Sequence, residues 1–332
     1  GVTMNALYSS PLGQTALRVD LRDEAIYSNL LGTEAGAVGG PFEGDEIYSR
    51  ADHRLTNEAA LSHRIEWGRF ATTINMSVIE MDSLFILPGA DLTMRLDTDG
   101  NALWFGSVNR SVRQPSFTDL YYNLGGAQGS IDLEPEWSDN FETGVRANMA
   151  LSETTSLKFE QTAFIRQGHN LIDWVRYEGS LTTQAANLRD VTFNGMETSL
   201  LLRCKNNNTI GVSYTTIKAS ESSVGFESNY VLDFLRHKLD IKTSLSLPAD
   251  LTLSLRYSLQ DREGGYYSPV EGEEIEFLPV GLLGATLSRK FMEDKLKANV
   301  RVDNVLDVAL VDIGNVMLPG RWVRASLTFV FN

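Results

Sequence analysis

The feature that most constrains this chain is the spacing of its apolar residues, which recur at every second position and never gather into a long run. Over 251–259 the odd positions read Leu, Leu, Leu, Tyr, Leu and the even ones Thr, Ser, Arg, Ser. The same pattern returns over 141–149, 239–247 and 296–302, with Glu142, Arg146, Asp240, Lys242, Lys297 and Arg301 among the intervening polar positions. A period of two puts successive side chains on opposite faces of an extended strand, and a helix would need a period of 3.6. No stretch approaches the roughly 18 consecutive apolar residues of a membrane-spanning helix. The other structure that crosses a bilayer is a closed barrel, which satisfies every backbone hydrogen bond between strands and shows lipid only one apolar face. A hydrophobic content of 42% and a mean hydropathy of -0.15 fit such a half-apolar strand set. On this reading Leu251, Leu253, Leu255 and Leu259 face lipid, and Thr252, Ser254 and Arg256 face the lumen.

About 14 alternating segments can be counted, from 14–31 to 320–332. Their connections alternate between short and long. The short ones are Gly68-Arg69, 98–101, 152–154, 206–208, Pro248-Ala249 and 292–294, rich in the Gly, Asn, Asp and Pro of tight turns. The long ones are 32–53, 113–137, 168–189, 218–231, 262–278 and 305–319, with 82–88 intermediate. A β-sandwich has no reason to sort loop length by end, whereas outer-membrane barrels do. Trp67 and Phe70, Trp104 and Phe105, and Phe291 stand beside short turns, as a periplasmic aromatic girdle requires. The last segment carries Val323, Ala325, Leu327, Phe329 and Phe331 on one face. The expected fold is all-β: a transmembrane antiparallel up-and-down β-barrel. An exported barrel is made with a leader, which is expected to precede Gly1.

Several motifs, in their order along the chain, resemble TonB-dependent outer-membrane receptors. They are Ser111-Val112-Arg113-Gln114-Pro115-Ser116-Phe117-Thr118-Asp119-Leu120-Tyr121-Tyr122, then Leu133-Glu134-Pro135-Glu136 followed by Ser138, Asn140, Glu142 and Gly144. Asn170-Leu171-Ile172-Asp173-Trp174-Val175, Asn194-Gly195-Met196-Glu197, Asp303-Asn304-Val305-Leu306-Asp307 and Pro319-Gly320-Arg321 follow. The resemblance runs over about residues 14–332. The stretch from Tyr230 to Lys238 is similar to the vitamin B12 receptor branch of Bacteroides-like bacteria. The resemblance implies a plugged barrel of about 22 strands, of which the 14 counted here would be the C-terminal portion, with the plug and about eight first strands (22 − 14) absent. It also implies active uptake of a large scarce nutrient, cobalamin or an iron chelate, driven by a TonB-type energy-transducing partner acting through the plug. The same motifs have a plainer reading as strand ends and loop punctuation.

Chemistry-bearing residues are sparse, and no enzyme is expected. The four histidines are scattered, and neither a nucleophile elbow nor a phosphate-cradling glycine loop occurs. A formal charge of -14 argues against nucleic acid as a partner. Cys204 stands alone, which excludes an internal disulfide and a cysteine metal cage. Outer-membrane lipid and a small-molecule nutrient are the expected partners, with no cofactor. Aromatic residues of the long connections are candidates to stack on a bulky ligand: Tyr121, Tyr122, Trp174, Tyr177, Tyr266 and Tyr267. Loop calcium is a weaker expectation at Glu271, Glu273 and Glu274, beside Glu276, with a second acidic group at Glu43, Asp45, Glu46 and Asp52. The rival readings are a passive 14-stranded porin-like channel and a β-rich surface adhesion module.

Overall fold

The computed structural model describes residues 1–42, 44, 46–188, 190–220, 226–228, 231–232, 234–268, 273–292, 295–312 and 316–331, with the backbone alone at 227, 266–268, 273–274 and 312. The chain begins with β1 (Val2–Ser10), β2 (Gly13–Ser28), β3 (Thr33–Gly39), β4 (Ile47–Trp67), β5 (Phe70–Glu80), β6 (Leu84–Arg95) and β7 (Ala102–Arg113). A short helix, α1 (Phe117–Tyr121), then β8 (Asn123–Leu124) and β9 (Ala127–Gln128) lead to β10 (Glu136–Ser152) and β11 (Thr155–His169). Next come β12 (Ile172–Tyr177), β13 (Thr183–Asn187), β14 (Val191–Arg203), β15 (Thr209–Ala219), β16 (Phe226–Ser228), β17 (Leu235–Leu247) and β18 (Leu251–Arg262). The remainder holds β19 (Gly265–Ser268), β20 (Glu273–Glu276), β21 (Val280–Phe291), β22 (Leu296–Asp303), β23 (Val311–Asp312), β24 (Val316–Met317) and β25 (Trp322–Phe329).

Sixteen strands make one antiparallel meander in the order β1-β2-β4-β5-β6-β7-β10-β11-β14-β15-β17-β18-β21-β22-β25, with β3 added against β4. That is two more than the alternation predicts (16 − 14). β3, with two glycines and two alanines among its seven residues, carries no apolar period. In β1 the period breaks where Leu7 and Tyr8 stand side by side. The segment 82–88 is no loop either. β6 starts at Leu84 and holds Pro88 in its interior, opposite Met76 of β5. A proline is excluded where its N–H would be needed, and here pairing with β7 begins only at Gly89.

Connections sort by end as the sequence predicts. At one end lie 11–12, 68–69, 96–101, 153–154, 204–208, 248–250 and 292–295, none longer than six residues. At the other lie all the long ones, with 81–83 the single short member. The two-residue turn after β4 needs a left-handed backbone, and Gly68 supplies it at φ 56°.

Strand register carries one apolar face through the whole sheet. Leu17 lies opposite Leu61, Leu61 opposite Met76, Val108 opposite Phe141, and Phe141 opposite Ile165. Farther on, Leu200 faces Val212, Leu253 faces Leu287, Leu287 faces Val300 and Val300 faces Ala325. Leu251, Leu253, Leu255 and Leu259 belong to this face. Many of its members remain exposed, among them Leu17, Leu61, Phe141, Leu287 and Val300, as side chains that await lipid must.

The opposite face is polar and laced with ion pairs. Arg18 meets Asp20 at 2.8 Å, Arg54 meets Glu24 at 2.8 Å, Arg256 meets Asp240 at 3.1 Å, and Arg301 and Arg324 share Asp303 at 2.7 Å each. Trp67, Phe70, Trp104 and Phe291 take the apolar side by register, in keeping with a girdle. Phe105 instead turns inward, where its ring lies over Gly144; a Cβ on that glycine would come within 2.6 Å of it.

A sheet with lipid on one side and a lumen on the other has no ordinary core. Of the seven buried apolar residues among the described ones, six, Leu171, Ile172, Val175, Ala185, Val191 and Leu232, lie in or beside the long connections. β1 pairs with β2 and β25 with β22. Among the described residues no ladder joins β1 to β25, so the sheet has two free edges.

Candidate functional site

Three long connections, 114–135, 170–190 and 220–234, fold together over one end of the sheet. They build a second sheet in the order β16-β12-β13-β9-β8. In it β12 is antiparallel to β13 and β16, and β13 runs parallel to β9. Loop backbone can be buried only if its polar groups find partners, and here strand pairing supplies them.

The motifs read from the sequence converge on this assembly. Ser116 opens α1 with a capping box: its hydroxyl accepts from the Asp119 amide, and the Asp119 carboxylate accepts from the Ser116 amide at 2.9 Å. That carboxylate also accepts from Trp174 Nε1 at 3.1 Å and from Arg113 at 3.3 Å. Burial pushes the Asp119 carboxyl up, but the Ser116 and Trp174 donors and the Arg113 charge outweigh it and hold the group below its usual value. Arg113 forks onto Glu136 at 2.8 and 3.1 Å, and Glu136 accepts the Ile172 amide at 2.8 Å. Asn170 donates to Glu134 at 2.9 Å, and Asn187 donates to the carbonyls of Glu134 and Asn170.

Asp173 is wholly buried. It accepts from the Ser228 hydroxyl and the Val231 amide, which fastens 170–190 to 220–234. A buried carboxylate is tolerated only when its lone pairs are occupied. Beside it Leu171, Val191 and Leu232 form a small apolar cluster, with Phe193, Ala219 and Phe226 packed on it.

α1 reaches across the polar face to β4. Arg54 donates to the Pro115 carbonyl at 2.6 Å and holds its guanidinium 4.7 Å from the Phe117 ring centre. Tyr121 donates its hydroxyl to Asp52 at 2.5 Å. Burial, then the Asp52 acceptor and its charge, push the Tyr121 phenol up to about 12.

The predicted ligand-stacking residues therefore differ in their surroundings. Tyr121 is held by Asp52. Tyr122 and Trp174 pack edge to face at 6.0 Å, and Trp174 is also tied to Asp119. Tyr177 is half exposed, its ring 6.3 Å from Phe226. Tyr266 and Tyr267 lie in the β19–β20 hairpin, with side chains outside the described residues. Of the calcium candidates, Glu271 is outside the described residues and Glu273 and Glu274 are described as backbone of β20. Glu43 and Asp45 are outside them too, and Asp52 is a strand residue engaged by Tyr121. Among the described residues no group of three or more His, Cys, Asp or Glu is placed to hold a metal. Sequence reasoning missed Asn187 and Ser228, because a lone Asn or Ser in a polar loop gives no signal of the partner it meets.

An exposed lip tops the assembly. Thr183 donates to the Gly126 carbonyl at 2.8 Å, which brings the tips 124–126 and 181–183 together. Leu124 (60%) and Leu181 (97%) stand exposed there, and Tyr177 is on the same connection.

Comparison with known proteins agrees with this architecture. Residues 12–305 match the model of a family described as TonB dependent receptor-like, beta-barrel. No curated protein matches the sequence. A mutant of the ferric enterobactin receptor PfeA from Pseudomonas aeruginosa is similar in structure, with a TM-score of 0.71 at 17% identity over 99% of this chain and 53% of that one. The siderophore receptor PirA from Acinetobacter baumannii gives 0.72 at 15%, over 99% and 54%. The FrpB iron transporter from Neisseria meningitidis gives 0.68 at 12%, over 97% and 53%. The chain spans about half the length of these structures.

Proposed function

The chain belongs to the TonB-dependent receptor-like β-barrel family, and from that premise we propose that it is the C-terminal part of a receptor barrel that takes up an iron chelate. It is a protein of the Gram-negative outer membrane, and the apolar face traced through its register is the face for lipid. Long connections lie on the extracellular side in such barrels, so 114–135, 170–190 and 220–234 would meet the ligand first. A plug and the remaining strands of a barrel of about 22 would complete the molecule, and a TonB-type partner would supply energy through the plug. There is no chemical step, only capture and release by a change of conformation.

The observation that carries this reading is the loop assembly itself. A passive pore needs no buried Asp173 or Arg113–Glu136–Asp119 network over its mouth, whereas a receptor needs loops of defined shape. Of the two ligand classes expected from the sequence, the iron chelate has the support of the siderophore and iron receptors above, whose fold this chain shares.

The test is uptake of radiolabelled ferric chelates and of cobalamin by cells expressing the full-length receptor, with and without a functional TonB partner. Iron accumulation that needs both proteins is expected. Uptake that survives loss of the partner would point to a passive channel, and uptake of cobalamin alone would replace the ligand class.

A further inference from the structure

Two glycines of the lumen wall stand open where others are covered. Phe105 lies over Gly144 and Phe164 over Gly195, so a Cβ at either position would clash. Gly211 of β15 and Gly284 of β21 differ: a Cβ there would meet nothing nearer than 3.7 Å. On the same face Gly211 lies opposite Lys242 of β17, Lys242 opposite Arg256 of β18, and Arg256 opposite Gly284. Bare backbone at both ends of this row opens a recess of about 950 Å³ in the wall.

The lining of the recess is part apolar and part cationic. Leu201 lies opposite Gly211 and Leu282 opposite Ser258, both on the lumen side, where a barrel wall is ordinarily polar. The connection 304–321 is fastened to the wall by the Val305 amide on the Leu283 carbonyl at 2.7 Å. It adds Leu310 and Leu318 to the lining, and Trp322 follows with its ring half exposed. Four cations share two carboxylates, Lys238 and Arg256 on Asp240, and Arg301 and Arg324 on Asp303. Lys242 is a fifth; it is exposed and has no hydrogen bond or ion pair among the described residues. The surplus here is 5 − 2 = +3 in a chain of formal charge -14. More than half of the Arg256, Arg301 and Arg324 side chains is exposed, which leaves their N–H groups within reach of a further acceptor.

Resting on the uptake reading above, we infer that this recess is a ligand site on the lumen wall and takes an anionic aryl chelate of the ferric tricatecholate class. Cavities that hold small molecules measure about 300–1,000 Å³ and are mostly apolar, with a few charged groups that fix orientation. Ammonium and guanidinium donors suit the charged oxygens around the iron, and the leucines and Trp322 suit the aryl rings. A neutral chelate would desolvate Lys242 without giving it a partner, and a cationic one would place like charges together.

The experiment uses the full-length receptor in detergent and two probes, a ferric tricatecholate and a neutral ferric trihydroxamate, with affinity measured at low and high salt. Wild type is expected to prefer the tricatecholate, with an affinity that falls as salt is raised. Lys242→Gln should weaken that binding about tenfold, as loss of a charge-assisted hydrogen bond implies, and should reduce its salt dependence; Lys242→Arg should retain both. Gly284→Leu, which fills the recess, should weaken binding at least as much and keep the heat-modifiable gel mobility of wild type. Undiminished tricatecholate affinity in Lys242→Gln and Gly284→Leu, or preference for the trihydroxamate, overturns the inference and leaves the uptake reading standing. So does a Gly284→Leu receptor that loses folded fraction but not affinity, since the recess then serves packing within the receptor. Binding of neither probe by a receptor that still imports another ferric chelate has the same meaning, and failure to import any ferric chelate overturns both readings.

Discussion

Four donors converge on the Asp119 carboxylate: the Ser116 amide and hydroxyl, Trp174 Nε1 and Arg113. This one side chain caps a helix and ties two connections together. Its folded pKa lies below that of the unfolded chain, so its contribution is complete above the unfolded value of about 4 and is lost as pH falls through the folded one. Asp119→Asn keeps the shape and removes the charge. The variant should be less stable than wild type at neutral pH, and the gap should close below about pH 4. Denaturation of the full-length receptor, followed by tryptophan emission at several pH values, measures this; a gap that persists unchanged into strong acid would refute the role. Tyr122 and Trp174 illustrate the same scale from the other side. Their types fit a ligand platform, and the structure spends part of their surface on each other.

Each strand separates two solvents, and its alternation is a statement about which side chain meets which. Leu287 lies on the apolar face between Leu253 and Val300 and is 42% exposed. Its neighbour Ser288 faces the lumen, opposite Thr252 and Asn299. Arginine on the lipid face costs about 2–4 kcal/mol near the membrane midplane, and lumen positions are far more tolerant. Leu287→Arg is therefore expected to lower the folded, membrane-inserted fraction of the full-length receptor, while Ser288→Arg leaves it near wild type. Heat-modifiable gel mobility after extraction reads both. Equal loss in the two variants would mean that β21 does not separate lipid from lumen. Phe105 shows how an element departs from its simple reading: the turn-adjacent aromatic predicted for the girdle covers Gly144 inside, filling the space a missing side chain leaves.

At the scale of the whole sheet, the free edges of β1 and β25 decide what the chain can do alone. Each unsatisfied backbone group in hydrocarbon costs several kcal/mol, and a strand edge carries several. The sum exceeds the roughly 5–15 kcal/mol that stabilises an ordinary domain. If further strands close the barrel in the complete receptor, the 332-residue chain by itself should give no heat-modifiable monomer and no single-channel conductance. A Met4→Cys, Val323→Cys pair in a Cys204→Ser background should then form no intramolecular disulfide. A high-yield crosslink with steady conductance would show that sixteen strands close by themselves, and would favour the passive channel.

The sequence alone determined the strand class, the two faces and the sorting of connections by end, because each follows from a local rule. A period of two fixes alternate sides, and a two-residue turn admits few residue types. The same local rules hid β3, which has no apolar period, and misread Pro88, whose acceptability depends on where the β7 ladder starts. The loop assembly was out of reach of such rules. Its motifs were visible as strings, but Asp173 meets Ser228 55 residues away and Tyr121 meets Asp52 across 69. Those partners are chosen by the order in which hairpins stack side by side in the sheet. Only the tertiary structure brings the ends of β4, β7, β11 and β15 to one rim.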